Sequence, residues 1–216
     1  MTENQAGPHQ GQSLVTAGTP VEAAEVAVVL VHGRGATARS ILGMAEALPR
    51  QGVASLAPQA AGNTWYPNPF TAPVETNEPG RTSGLQAIGD AIDEATAGGI
   101  PIDRVVLVGF SQGACLASEY VARNPTRYGG LAVLSGGLIG ETVDPADYEG
   151  DLDRTPVFLG CSDSDPHIAE ERVHETTAVF ERLNGEVTER LYPGLGHGVN
   201  QDELDRVSGM VARLLE

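Results

Sequence analysis

The stretch that most limits what this chain can fold into is Val105-Val106-Leu107-Val108-Gly109-Phe110-Ser111-Gln112-Gly113-Ala114-Cys115-Leu116. The apolar run Val105 to Val108 is too short for a buried helix and rich in β-branched residues. That is the signature of a parallel strand covered on both faces. Behind it, Ala114, Cys115, Leu116, Ala117 and Tyr120 give an apolar face at helical spacing. A strand that passes straight into a helix forces the residue between them into a strained backbone geometry, and glycines on either side let the flanking chains approach. Such a turn holds the Ser111 hydroxyl out at the top of the sheet, at a helix N-terminus whose unpaired N–H groups favour developing negative charge. Gly and Ser are common loop residues, so the spacing alone is weak evidence. The strand–turn–helix context makes Ser111 the candidate nucleophile.

The rest of the chain continues the alternation. Glu25 to Val31 reads as a strand ending in His32-Gly33-Arg34-Gly35, and Ala38 to Arg50 carries Ile41, Leu42, Ala45 and Leu48 at helical spacing. A short strand over 53–57 ends at Pro58. Ser83 is placed to cap a helix bearing Leu85, Ile88, Ala91, Ile92 and Ala95, stopped by Gly98-Gly99. Further strands are read at 131–134, 156–160 and 187–192, with one helix reaching about Leu183 and a last one over 202–215. This pattern predicts an α/β fold with a mostly parallel central sheet covered by helices on both faces. The Pro- and Gly-rich segment 59–81 shows neither period and is read as a functional excursion over the sheet's edge. The length suits one domain over 21–216, preceded by a loose tail over 1–20.

Charge narrows the partners. Acidic residues number 29 against 13 basic ones, all of them Arg, for a net charge of −16. That argues against nucleic acid and anionic membrane surfaces. It fits either a GC-rich genome or a salt-rich cytoplasm, where a screening length of ~3 Å at 1 M relieves self-repulsion. No apolar run reaches the ~20 residues of a membrane helix, and the N-terminus lacks the basic and apolar regions of a secretory signal. Cys115 and Cys161 sit in apolar surroundings and read as packing residues, not as a disulfide. A cytoplasmic location is expected. No histidine–carboxylate cluster has metal-ligand spacing, and His167 and His174 are expected to face solvent on the helix that starts after Pro166.

A serine is a poor nucleophile at neutral pH and needs a base that an acid orients. Parallel sheets place catalytic groups in loops at the carboxyl ends of strands. Asp165 follows one strand and His197 the next, giving the order Ser…Asp…His used on such scaffolds. Taken singly, Asp165 is a turn residue before Pro166 and His197 a loop residue between glycines; three such residues in order at strand ends point to a triad. Asp163 shares the loop with Asp165, and residues two apart in an extended segment point the same way, so geometry leaves both open. Pro166, which fixes the local turn, favours Asp165. A tetrahedral oxyanion needs two fixed N–H donors, and the backbone of Gln112 and of Arg34 can offer them. His32 reads as a residue that fixes its loop. Trp65 and Tyr66 either line the substrate pocket or anchor the excursion.

Leu30-Val31-His32-Gly33-x-Gly35, Gly99-Ile100-Pro101-x-Asp103-Arg104, Gly109-Phe110-Ser111-Gln112-Gly113, Asp163-x-Asp165-Pro166 and Gly196-His197 together resemble the phospholipase/carboxylesterase family. This α/β-hydrolase group contains small bacterial carboxylesterases and acyl-protein thioesterases. The likeness runs from about Val26 to the C-terminus. It implies an α/β-hydrolase fold and hydrolysis of small esters, thioesters or lysophospholipids through a Ser111–His197–Asp165 triad and an acyl-enzyme. It also implies no cofactor, and often a homodimer. Asp165 occupies the family's Asp-Pro position.

Three departures stand out. Arg34 and Ala36 replace a common Leu and Asp, Ala114 replaces a second Gly after the serine motif, and His167-Ile168-Ala169 replaces apolar-Val-Pro. Oxyanion stabilisation uses backbone and should survive them. Arg34, however, makes the mouth of the site polar and sets the thioesterase substrate in question. Acyl transfer or lactone opening on the same fold, and binding without catalysis, remain alternative readings; the intact motifs weigh against the last.

Overall fold

Near-continuous apolar runs in the sequence become the strands at the middle of the sheet. A computed structural model describes residues 7–216. Its seven strands are β1 (Leu14–Gly18), β2 (Val26–Val31), β3 (Val53–Pro58), β4 (Val105–Phe110), β5 (Gly130–Leu134), β6 (Pro156–Ser162) and β7 (Glu186–Tyr192). They lie in the order β1-β3-β2-β4-β5-β6-β7, with β1 antiparallel to β3 and every other pair parallel. All six residues of β2 are fully buried, as a strand covered on both faces requires.

Alternate strand residues feed two cores. On one face Ala27, Val29, Leu107, Val133 and Leu159 pack under α2 (Gly80–Ala97), α3 (Gln112–Arg123) and α4 (Glu170–Arg182). On the other, Val28, Leu30, Val106, Val108 and Leu134 pack under α1 (Ala38–Ile41), the 3-10 turns that continue it, and α5 (Gln201–Ala212). The chain adds β3 on one side of β2 and then crosses to add β4 on the other. The loops after β2 and β4 therefore diverge around a crevice at the carboxyl edge of the sheet, where open α/β sheets bind ligands. Among the described residues no helix is long and apolar enough to cross a membrane.

The N-terminal segment departs from the expected loose tail. Residues 1–6 lie outside the described region, but from residue 7 the chain is packed. His9 is 4% exposed, its backbone N–H donates to Ser83 Oγ at 2.8 Å, and Leu14–Gly18 pairs along β3. An edge strand held by its backbone needs little apolar patterning, so the sequence does not announce it. Ser83 is likewise not a cap: α2 already begins at Gly80, and the Ser83 hydroxyl donates to Gln10 Oε1 at 2.7 Å. The helix read over 38–50 is α-helical only to Ile41 and continues as 3-10 turns to Ala47.

Candidate active site

The turn after β4 has the backbone strain its sequence calls for. Ser111 adopts φ 54° and ψ −123°, a region costly for a residue with a Cβ. Two things hold it there. Its N–H donates to Leu134 O at 2.9 Å and its carbonyl accepts from Cys115 N–H at 3.0 Å. Gly113 then lets the start of α3 cross the end of β2, since a Cβ at that position would stand 2.1 Å from Val31 O.

Ser111 Oγ lies 2.8 Å from His197 Nε2, and His197 Nδ1 lies 2.8 Å from Asp165 Oδ2. The other carboxylate oxygen, Oδ1, accepts the N–H groups of His167 (2.8 Å) and Ile168 (3.1 Å). With a carboxylate at Nδ1 that can only accept, Nδ1 carries the proton and Nε2 is left to accept from the serine hydroxyl. The Asp165 side chain is 0% exposed and that of His197 21%, so the acid is shielded while the base reaches the cavity. Burial alone raises the Asp165 pKa, but its bonds to His197 and to the two backbone N–H groups outweigh this and hold it below the ordinary carboxylate value.

The neighbouring loops fix His197 in place. Asp163 Oδ1 accepts Gly194 N–H at 2.9 Å, Ser162 Oγ accepts Gly196 N–H at 3.0 Å, and Ser135 Oγ donates to Gly198 O at 3.2 Å. Between the two aspartates the geometry is unambiguous: Asp165 touches His197, and Asp163 ties the β6 loop to the β7 loop.

The loop after β2 runs directly beside the serine, because a Cβ on Gly33 would stand 3.3 Å from Ser111 Cβ. His32 accepts Ala60 N–H at Nε2 (3.1 Å), so its Nδ1 proton donates to Gly33 O (2.8 Å). Burial lowers its pKa and keeps the ring neutral in this loop-holding role. The backbone N–H of Gln112 opens α3 and has no acceptor within the helix. That of Arg34 donates to no described residue.

The side chains of these two residues converge on one atom. Gln112 Nε2 donates to Tyr66 O at 2.8 Å, and Arg34 Nη2 donates to the same oxygen at 3.0 Å. Arg34 also donates to Pro67 O (3.0 Å) and Asn68 O (2.9 Å), while Gln112 Oε1 accepts Trp65 N–H (2.9 Å). The excursion 59–81 thus folds inward over the crevice, and not over the sheet's edge as its composition suggested.

A cavity of about 520 Å³ opens above Ser111 and His197, walled by Arg34, Tyr66, Phe70, Cys115, His167 and Ile168. Tyr66 reaches this wall. Trp65, expected beside it as a pocket residue, stands behind it instead: it is 0% exposed, donates its indole N–H to His32 O at 2.8 Å and packs edge-on to His9. His167 precedes α4 and does not lie on it. Although exposed, it packs edge-on against His197 at a centroid distance of 4.8 Å. Phe70 carries no signal of a site in the sequence, since neither motif nor period surrounds it, and Ile168 stands out only by its place two residues after the Asp165-Pro166 pair. Cys115 and Cys161 are free and buried, and burial pushes their thiols up to about 11 and about 12. Cys115 therefore meets the cavity as an apolar group and not as a nucleophile.

A serine on a strained turn after the central strand, with an imidazole and a carboxylate delivered by loops farther along one doubly covered sheet, is the α/β-hydrolase arrangement. The chain belongs to the phospholipase/carboxylesterase family, whose model matches residues 15–215. The crystal structure of a phospholipase/carboxylesterase from Dyadobacter fermentans is similar at a TM-score of 0.89 and 41% identity, covering 93% of this chain and 96% of that one. Acyl-protein thioesterase 1 of Debaryomyces hansenii is 32% identical over 107 residues, 49% of this chain and 46% of that protein. Its counterpart from Gibberella zeae is 30% identical over 129 residues, 57% and 54% of the two chains. The chain thus spans about half the length of these curated relatives.

Proposed function

We propose that this protein hydrolyses carboxylic esters, thioesters and lysophospholipid-type esters among them, through an acyl-enzyme on Ser111. The observation that carries this is the continuous line Ser111 Oγ–His197–Asp165, with 2.8 Å at each step and the serine projected into a cavity. His197 Nε2 takes the hydroxyl proton as Oγ attacks the carbonyl carbon, then returns it to the departing alcohol or thiol. Water repeats the sequence on the acyl-enzyme and releases the acid. Asp165 holds the imidazole in the productive tautomer and stabilises its charged form. The backbone N–H groups of Arg34 and Gln112 receive the oxyanion, a role in which one donor is worth about 3–4 kcal/mol. Tyr66 and the Arg34 side chain contact the substrate, and Trp65 supports them from behind. The buried free thiols fit a reducing compartment, and we place the protein in the cytoplasm.

A fluorophosphonate probe tests the nucleophile. It should label the native protein once, and Ser111→Ala should lose both the label and hydrolysis of a short neutral ester. Label retained on a second serine would overturn the assignment.

A further inference from the structure

We infer that the ester turned over at this site carries an anionic group, a carboxylate or its equivalent, that lies against Arg34 in a cavity His167 also lines. The inference rests on the ester-hydrolase reading and narrows it. Charge is distributed unevenly between the chain and its cavity. Acidic side chains outnumber arginines 29 to 13 in the chain, yet the residues walling the cavity include one arginine, two histidines and no aspartate or glutamate. Carboxylates crowd the molecule and are missing where substrate binds. The acid of the site, Asp165, is fully covered and faces His197.

Arg34 is prepared for such a ligand. Its three hydrogen bonds go to the uncharged carbonyls of Tyr66, Pro67 and Asn68, and among the described residues no carboxylate lies within ion-pair distance of it. The guanidinium therefore keeps its full charge, and with five N–H groups it has donors left over. A surface arginine loses side-chain freedom when it binds an anion; this one is already fixed by the loop, so that loss is small. His167 adds an exposed imidazole to the same cavity, against the His197 ring.

The remaining wall of Tyr66, Phe70 and Ile168 is apolar, which keeps the local field from being screened as it would be in open water. The net charge of −16 opposes anions only at long range, and salt suppresses that part beyond a Debye length of ~8 Å at physiological ionic strength. The local contact then decides. The anion is a spectator: the acyl C–O bond breaks, water adds, and the charged group leaves unchanged on the acid or the alcohol.

The test uses the full chain and two pairs of esters. In the acyl arm, para-nitrophenyl hemiadipate is compared with the neutral ester in which an isopropyl group replaces the carboxylate. In the alcohol arm, acetate esters of a phenol bearing either a carboxylate or the matching carboxamide are compared. The anionic member should have the higher kcat/KM in one arm by about tenfold or more, the scale of one charge-assisted contact. The arm that shows it assigns the charged side. Arg34→Met should erase most of that ratio, Arg34→Lys should keep a large part of it, and His167→Leu should reduce it in a protein whose excursion clamp is intact. Neutral esters preferred in both arms, or a ratio unmoved by Arg34→Met and His167→Leu alike, would overturn the inference and leave ester hydrolysis standing. Failure of the folded protein to cleave any of the four esters would overturn the hydrolase reading and this inference with it.

Discussion

Asp165 offers both carboxylate oxygens to donors, one to the His197 ring and the other to two backbone N–H groups, whereas Asp163 bonds only a backbone N–H across the loop. The two side chains therefore fail differently when altered. Asp165→Asn should lower turnover by roughly 10⁴-fold, because an amide nitrogen facing Nδ1 favours the wrong tautomer. Asp163→Asn should keep most turnover and lower the unfolding midpoint. Measuring kcat and Tm for both variants separates them, and the reverse result would move the acid by two residues. The depressed pKa of Asp165 also has a sign. Its contribution to stability is complete above the ordinary carboxylate range and is lost only as pH falls through its lowered folded value, so acid titration should leave this corner intact until below about pH 4.

At the scale of elements, α5 carries a carboxylate of the opposite kind. Glu203 is fully buried in the capping box of α5; Oε2 accepts Asn200 N–H at 2.8 Å, while Oε1 is unpaired and faces Gly160. Burial pushes its pKa up to about 7. A raised carboxyl stabilises the fold while protonated, and that benefit drains away as pH rises from the ordinary carboxylate range through neutrality, by about 3 kcal/mol. Glu203→Gln keeps the cap acceptor and cannot ionise. Denaturant unfolding at about pH 5 and about pH 8 should show the wild type losing ~2.5 kcal/mol relative to the variant, the rest having gone below pH 5; parallel losses would show that Glu203 is already ionised or solvated.

Legibility also differs by element. Strands β2 and β4 to β6 are plain in the sequence because burial on both faces demands unbroken apolar runs, and the hydrogen-bonded line of Ser111, His197 and Asp165 is legible because each lies just past the end of a parallel strand. β1 is not plain, since Leu14 and Val15 are only half-buried, Thr16 to Gly18 are exposed, and the strand is held by its backbone. Nor is the inner face of the excursion legible. Its shape comes from hydrogen bonds between carbonyls and the side chains of Arg34, Gln112 and His9, partners far away in sequence.

For the molecule as a whole, the excess of acidic side chains acts on the folded state through mutual repulsion. If this surface is an adaptation to a salt-rich interior, the thermal midpoint should climb as KCl is raised from about 0.1 M to about 1 M, where the screening length shrinks to ~3 Å. A flat or falling midpoint would leave base composition of the genome as the explanation. The Tyr66 carbonyl reaches further than its size suggests. Both residues assigned to the oxyanion send a side chain to this oxygen, and the same segment continues into Pro67 and Phe70 on the cavity wall. Anyone grafting a foreign specificity loop between β3 and α2 would therefore be disturbing the two residues proposed to hold the oxyanion along with the cavity wall. A transplant that starts after Asn68 keeps the three carbonyls that Arg34 grips and can vary the exposed Pro69 and Thr71, whereas Phe70 is buried in the core beneath Arg172. One that starts at Trp65 must rebuild the contacts that hold the Arg34 and Gln112 side chains before any new preference can be read.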